Sequence, residues 1–208
     1  MGLAARSCAG ILAATLLGGA ASAGACAAEI QRLSVHYSGA LDLQLRVLID
    51  APVARVASIL NDPDDLAHLL PGATSVRILP GAPSGSQRLS VQLQGCLLFF
   101  CPSLTDVMDL RRERSGFVGD TVPALSDFSA GQMSWRYLAE PGDRTLLYLH
   151  AHLVPRIWVP PLIGPYLIET KVENQMKTTV RRLERAAKGG PLRVPHRPEP
   201  INIPGFNF

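Results

Sequence analysis

The sequence predicts an α+β domain: an antiparallel meander of short strands, two short helices after the first strand, and one long C-terminal helix. Three observations carry this. Leu41, Leu43, Leu45, Val47 and Ile49 alternate with Asp42, Gln44, Arg46 and Asp50, the period of a strand with one buried face. Six further stretches of strand-like composition follow, separated by turn signals. Near the end, Ile168, Val172, Met176, Val180, Leu183 and Ala187 recur at helical spacing as one apolar stripe.

Taken in order, the alternating stretch 41–49 is the first predicted strand. Asp50-Ala51-Pro52 then offers a cap and an early proline before Val53, Val56, Ala57 and Leu60, which share a helical face. A second short helix is framed by Asp62 as cap, Pro63 as its first residue, Leu66, Leu69 and Leu70 on its inner side, and Pro71-Gly72 as its stop. Helices this short are marginal alone and must pack on the sheet. The remaining strands are predicted at 73–79, 86–95, 103–112, 116–121, 131–139 and 145–154, with polar turns at 81–85, 114–116 and 140–143. Strands joined by short links form an antiparallel meander most simply. Gly164-Pro165 opens the long helix, Glu173 and Lys177 pair across one turn, and Gly189-Gly190 ends it.

The flanks differ from this domain. The opening MGLAARSCAGILAATLLGGAASAGACAAE places Arg6 before a Leu/Ala-rich run and then small residues, the plan of a secretory signal peptide. Cleavage after Ala23, Ala27 or Ala28 is equally compatible with the small-residue spacing. The run is short for a spanning helix and is interrupted by Gly18-Gly19, and the sequence before Cys26 lacks the leucine of a lipoprotein box. The expected organisation is therefore a signal peptide at 1–28, one domain at 29–190 and a proline-rich tail at 191–208, extended or disordered, in a chain of 208 residues. That length fits a single core. An exported chain in an oxidising compartment, the bacterial periplasm, is expected. The net charge of +3 is modest, and no Lys/Arg block is interleaved with aromatics, so no nucleic-acid partner is expected.

The order of strand, two short helices, six strands and long helix resembles the helix-grip fold of the START-like (SRPBCC) superfamily, which includes polyketide cyclases, pollen-allergen relatives and coenzyme Q-binding proteins. Specific stretches carry the resemblance. IDAPVARVASILNDPDDLAHLLPGATSVRIL (49–79) looks like that superfamily's opening, WRYLAEPGDRTLLYLHAHLVP (135–155) like its last hairpin, and VENQMKTTVRRLERAA (172–187) like its closing helix. The resemblance covers about 33 to 188. It implies a curved antiparallel sheet wrapped around the long helix, with an internal cavity for an apolar or amphipathic ligand. The superfamily contains both enzymes and binders, so the fold alone does not select between them.

Connections of an antiparallel sheet fall at alternating ends, so they sort by parity. One end receives 80–86, 111–116 and 140–144, all polar or charged. The other receives 95–102, 121–130 and 155–166, which carry Leu97, Leu98, Phe99, Phe100, Val122, Leu125, Phe128, Trp158, Val159, Leu162 and Ile163. Leu97 to Phe100 with Trp158, Leu162 and Ile163 are therefore candidates for a cavity mouth or a membrane-contact rim; the alternative is that they fold inward and cap the core. Cys96 and Cys101 flank the first of these tips. In one straight strand they would stand about 16 Å apart on opposite faces, but as the two sides of a hairpin loop they face one another, and in an oxidising compartment a disulfide is favoured over free thiols.

Signals for catalysis are weak. No nucleophile elbow, phosphate loop, metalloprotease helix or dinucleotide turn occurs. His150 and His152 share a strand face, but Leu147, Leu149, Ala151 and Leu153 make the better inward face, which puts both histidines on the solvated side and leaves no metal or cofactor called for. Asp109 and Tyr137 are candidates to face inward. The expected cavity residues are Leu89, Val91 and Leu93, Met133, Trp135 and Tyr137, Leu149, and Val172, Met176 and Val180 of the helix stripe, with a solid core as the alternative. The reading is non-catalytic binding or carriage of a hydrophobic molecule (a lipid, isoprenoid or quinone-like compound), with peripheral membrane contact at the rim. A cyclase-type enzyme and an interaction module using the 191–208 tail are the alternatives.

Overall fold

Burial follows the period of the sequence. In a computed structural model describing residues 28–95 and 102–192, Leu43, Leu45, Val47 and Ile49 are buried while Gln44 and Arg46 between them are exposed. The elements are β1 (Glu29–Tyr37), β2 (Leu41–Ile49), α1 (Val53–Leu60), α2 (Pro63–Leu69), β3 (Ala73–Leu79), β4 (Ser86–Gln94), β5 (Ser103–Glu113), β6 (Gly116–Thr121), a 3-10 turn (Pro123–Leu125), β7 (Phe128–Glu140), β8 (Arg144–Pro155) and α3 (Gly164–Ala187). All eight strands form one curved antiparallel sheet in the order β1-β2-β8-β7-β6-β5-β4-β3. Strands β3 to β8 run as the expected meander, and β2 closes onto β8 through nine paired residues, Leu41↔Leu153 to Ile49↔Thr145.

Strand β1 was not anticipated. Its apolar positions Ile30, Leu33, Val35 and Tyr37 break alternation once, and the pairing with β2 shifts register between Ile30 and Arg32. The irregularity inserts a residue and moves the period by one, so a strict alternation test passes over the strand. A second shift between Phe128 and Ala130 hides the first turn of β7, which begins at Phe128 rather than Gly131.

The helix signals divide. Asp62 caps α2, accepting from the backbone N–H of Asp64 at 2.8 Å and Asp65 at 3.3 Å, with Pro63 leading the helix as expected. Asp50 does not cap α1: the cap position is Pro52 with no side-chain bond, and the Asp50 carboxylate instead meets Lys188 Nζ at 2.9 Å. Two residues before the cap position, it lies too early to reach the free N–H groups. Helix α3 ends where Gly189 adopts φ +88, with Gly189 N–H donating to Ala186 O and Gly190 N–H to Arg185 O.

The sheet's inner face, α1, α2 and the C-terminal half of α3 share one core. Leu45, Val47, Ile49, Val56, Leu60, Leu69, Leu147, Leu149, Val180 and Leu183 belong to it, together with Trp135 and Phe117, whose rings lie 6.3 Å apart. The two halves of α3 differ. Thr178, Thr179, Val180, Leu183, Ala186 and Ala187 are buried, whereas Ile168, Val172 and Met176 are only partly so. The stripe is continuous in sequence, so the difference lies in what faces it. Among the described residues, no helix is long and apolar enough to cross a membrane.

Candidate functional site

Beneath the partly buried N-terminal half of α3 the sheet does not close. An apolar cavity of about 180 Å³ opens there, at the end of the sheet where β1, β4 and β8 finish and β2, β5 and β7 begin. Its wall is built from Tyr37, Leu41, Leu93, Leu104, Phe128, Leu153, Pro155 and Ile157, roofed by Ile168 and Val172 of α3. Each strand contributes the residue that alternation sends inward at that level: Leu93 pairs with Leu104, and Leu41 with Leu153. The polar groups on the lining are Gln94, Lys171 and Gln175. Burial lowers the pKa of the Lys171 ammonium and raises that of the Tyr37 phenol, so both titrate as groups turned away from bulk water. Gly95 admits Lys171, since a Cβ there would stand 3.2 Å from Nζ. Gln175 Nε2 donates to Pro71 O at 3.3 Å and ties the roof to the end of α2.

The loops sort to the two ends as parity requires. Asp127 N–H donates to Thr105 O and Arg156 N–H to Asp127 O, both at 2.8 Å, which brings the β6–β7 and β8–α3 connections together beside the start of β5. In the last connection Trp158 is 78% exposed, Leu162 95% and Ile163 51%, and Tyr166 beside them is also exposed. These side chains are held out rather than folded in. The Leu97, Leu98, Phe99 and Phe100 tip and the Cys96–Cys101 pairing lie outside the described residues. The hairpin that leads to them is described: Gln94 pairs with Ser103, and Gly95 N–H donates to Pro102 O at 3.2 Å.

The expected cavity residues separate into groups. Leu93 and Val172 line the cavity. Leu89, Trp135, Leu149 and Val180 are buried within the solid core, and Val91, Met133, Tyr137 and Met176 pack against it partly buried. Tyr137 does face inward, its hydroxyl meeting Asn61 Nδ2 at 3.3 Å. Tyr37, Leu41, Leu104, Phe128, Leu153 and Ile168 were not singled out as cavity residues, although Leu41, Leu153 and Ile168 already stood on the inward faces of their elements.

Asp109 does not face inward. It lies opposite Arg88 on the outer face of β4–β5, where Arg88 Nε and Nη2 each donate to its carboxylate at 2.7 Å and hold its pKa down. The inward acid on β5 is Asp106, three residues earlier and so on the other face. It is buried, 5% exposed, opposite Val91 and one register level deeper than the Leu93–Leu104 cavity wall. Burial pushes its carboxyl up to about 6, against hydrogen bonds from the Thr121 and Ser126 hydroxyls that pull it down. Thr121 Oγ1 donates to Oδ1 at 3.1 Å, and Gly131 leaves room for that hydroxyl, since a Cβ there would come within 2.2 Å of it. Asp106 does not line the cavity. His150 and His152 stand on the outer face, where His152 Nδ1 meets Asp42 Oδ1 at 2.7 Å.

A curved antiparallel sheet gripping a long C-terminal helix, with two short helices inserted early and a cavity between helix and sheet, is the helix-grip fold of START-like proteins. Three solved structures with this fold superpose on nearly their whole length. Zhui aromatase/cyclase from Streptomyces sp. R1128 is 20% identical, with 73% of this chain and 99% of that one covered and a TM-score of 0.54. A START superfamily protein from Mycobacterium smegmatis is 18% identical over 70% and 98% of the two chains, TM-score 0.53. A STAR-related lipid transfer protein from Xanthomonas axonopodis is 12% identical over 74% and 98%, TM-score 0.51. At these identities the likeness is one of fold. No family model matches the sequence, and no curated protein matches it.

Proposed function

We propose that this chain is an exported, non-catalytic binder or carrier of a hydrophobic molecule (a lipid, isoprenoid or quinone-like compound) that works in the periplasm. The observation that carries this is the apolar cavity under the N-terminal half of α3, beside exposed Trp158, Leu162 and Ile163. Transfer of an apolar group into such a site is favourable at about 25 cal/mol per Å² buried. The cavity is below the roughly 300–1,000 Å³ usual for a drug-sized ligand, so it takes one apolar end and leaves the remainder at the mouth. Lys171, Gln175 and Gln94 there are placed to orient a polar head. A STAR-related lipid transfer protein shares this fold, which points the same way, and among the described residues no Asp or Glu lines the cavity to serve the cyclase reading, the buried Asp106 lying off its wall. Export rests on the signal-like segment before residue 29, and the oxidising setting makes the Cys96–Cys101 disulfide part of the proposal.

Native mass spectrometry of protein taken from its own membrane fraction, followed by lipid extraction, tests the carrier. A stoichiometric co-purified lipid is expected; an empty protein that also takes up nothing from a panel of phospholipids, isoprenoids and quinones overturns it.

The exposed rim supplies the membrane contact of the same proposal. Changing Trp158 and Leu162 together to Ser removes two solvent-facing apolar side chains, each worth about 1.5–3 kcal/mol when fully buried. Vesicle binding in a co-sedimentation assay should weaken by at least about tenfold with the melting temperature unchanged. Undiminished vesicle binding would remove this connection from the contact.

A further inference from the structure

The outer face of the sheet carries an arrangement that ligand carriage does not use. Arg32 on β1 pairs directly with Arg46 on β2, Arg46 with Tyr148 on β8, and Tyr148 with Arg136 on β7. One cross-strand row therefore presents three arginines and a single ring. The Arg46 guanidinium lies 5.5 Å and the Arg136 guanidinium 5.1 Å from the centre of the Tyr148 ring. Among the described residues none of the three arginines has a carboxylate partner. Like charges directly opposite on neighbouring strands destabilise a sheet.

Elsewhere the same face is arranged the other way. Arg88 meets Asp109, Arg111 meets Asp120, and His152 meets Asp42, each across neighbouring strands. Asp109 also stands directly opposite Asp120, but Arg88 and Arg111 offset those two carboxylates, whereas the Arg32–Arg46 pair has no such counter-charge among the described residues. The arginine row also lines a groove of about 570 Å³, floored by the sheet and flanked by Gln44, Ser134 and His150. Glu113 is the acid on this lining; it stands in the same row two strands beyond Arg136, across the side-chain-free Gly116.

We propose that this groove is a second ligand site, on the sheet face opposite the apolar cavity, and that it takes a soluble small molecule bearing a phosphate-type oxyanion. Guanidinium forks match the paired oxygens of such a group, and the anion removes the repulsion between Arg32 and Arg46. Tyr148 holds Arg46 and Arg136 over its two neighbouring strands and sets the distance between their forks. A recess of about 570 Å³ walled by side chains favours a small solute over a flat bilayer.

Inorganic pyrophosphate is the probe, titrated calorimetrically into the full chain at low salt. One saturable site is expected, and the double variant R46A/R136A should weaken it by about 100-fold, since two charge-assisted contacts are lost. R46K/R136K, which keeps the charge and loses the fork, should fall between. Uptake of an apolar probe should be the same in all three proteins, and all three should remain folded. No saturable binding by the wild type, or equal binding by R46A/R136A, overturns the site. Binding confined to vesicles containing phosphatidylglycerol, with none to pyrophosphate, overturns the small-solute assignment.

Discussion

Replacing Asp106 with Asn is expected to stabilise the protein at neutral pH and to flatten its dependence on acid. The carboxyl ionises near 3.8 when exposed and is pushed up to about 6 in the folded chain by burial between β4 and β6. A raised carboxyl pKa means that the folded state holds the proton more tightly than the unfolded one. The stabilising contribution of the protonated form is complete below about pH 4 and is lost as pH rises through about 6. The span of roughly two units corresponds to about 3 kcal/mol. Asn keeps the shape and an acceptor for Thr121 and never ionises. Asp109 works in the opposite direction, because Arg88 lowers its pKa and its contribution disappears in acid. The measurement is therefore a difference: urea unfolding of wild type and D106N at several pH values between about 4 and 8. The advantage of D106N at the upper end should shrink towards the lower end, and a constant difference would mean that Asp106 titrates as an exposed acid.

Filling the cavity should abolish uptake without harming the fold. Val172 of α3 and Leu153 of β8 both line it. Val172→Phe with Leu153→Phe places two rings in a space of about 180 Å³. Ligand uptake, followed with an environment-sensitive apolar fluorophore, should fall by at least about tenfold, equivalent to 1.4 kcal/mol. The melting temperature should hold or rise, since added apolar surface is buried without displacing a packed neighbour. Retained uptake with a stable fold would place the ligand elsewhere. Val180→Phe is the contrast: in the solid half of the stripe, it should destabilise by about 1–3 kcal/mol through overpacking.

These two experiments probe the features that were hardest to foresee. The helix stripe from Ile168 to Ala187 was readable because its period is local, and the strand at 86–95 was readable for the same reason. Asp106 was not. In β5 the apolar residues Leu104, Val107, Met108 and Leu110 do not alternate, because Val107 is buried on the outer side under the turn that follows β6, with Val122 N–H donating to Val107 O at 2.7 Å and Ser126 Oγ bonding its N–H at 2.9 Å. A strand covered on both sides loses the parity signal, and with it the choice between Asp106 and Asp109. Strand β1 was hidden by one shifted residue near Ile30.

The amino-acid sequence by itself determined the meander, the two short helices with the Asp62 cap of the second, the long helix and the apolar character of the loops that parity sends to one end, because each depends on spacing or turn chemistry within a few neighbouring residues. Tertiary structure decided that the stripe of α3 is packed from Thr178 onward and open before it, that Asp106 and not Asp109 is buried, and that Arg32, Arg46 and Arg136 share a row. Register between strands sets those juxtapositions. Between β2 and β8 it joins residues about a hundred positions apart, and no local period records it.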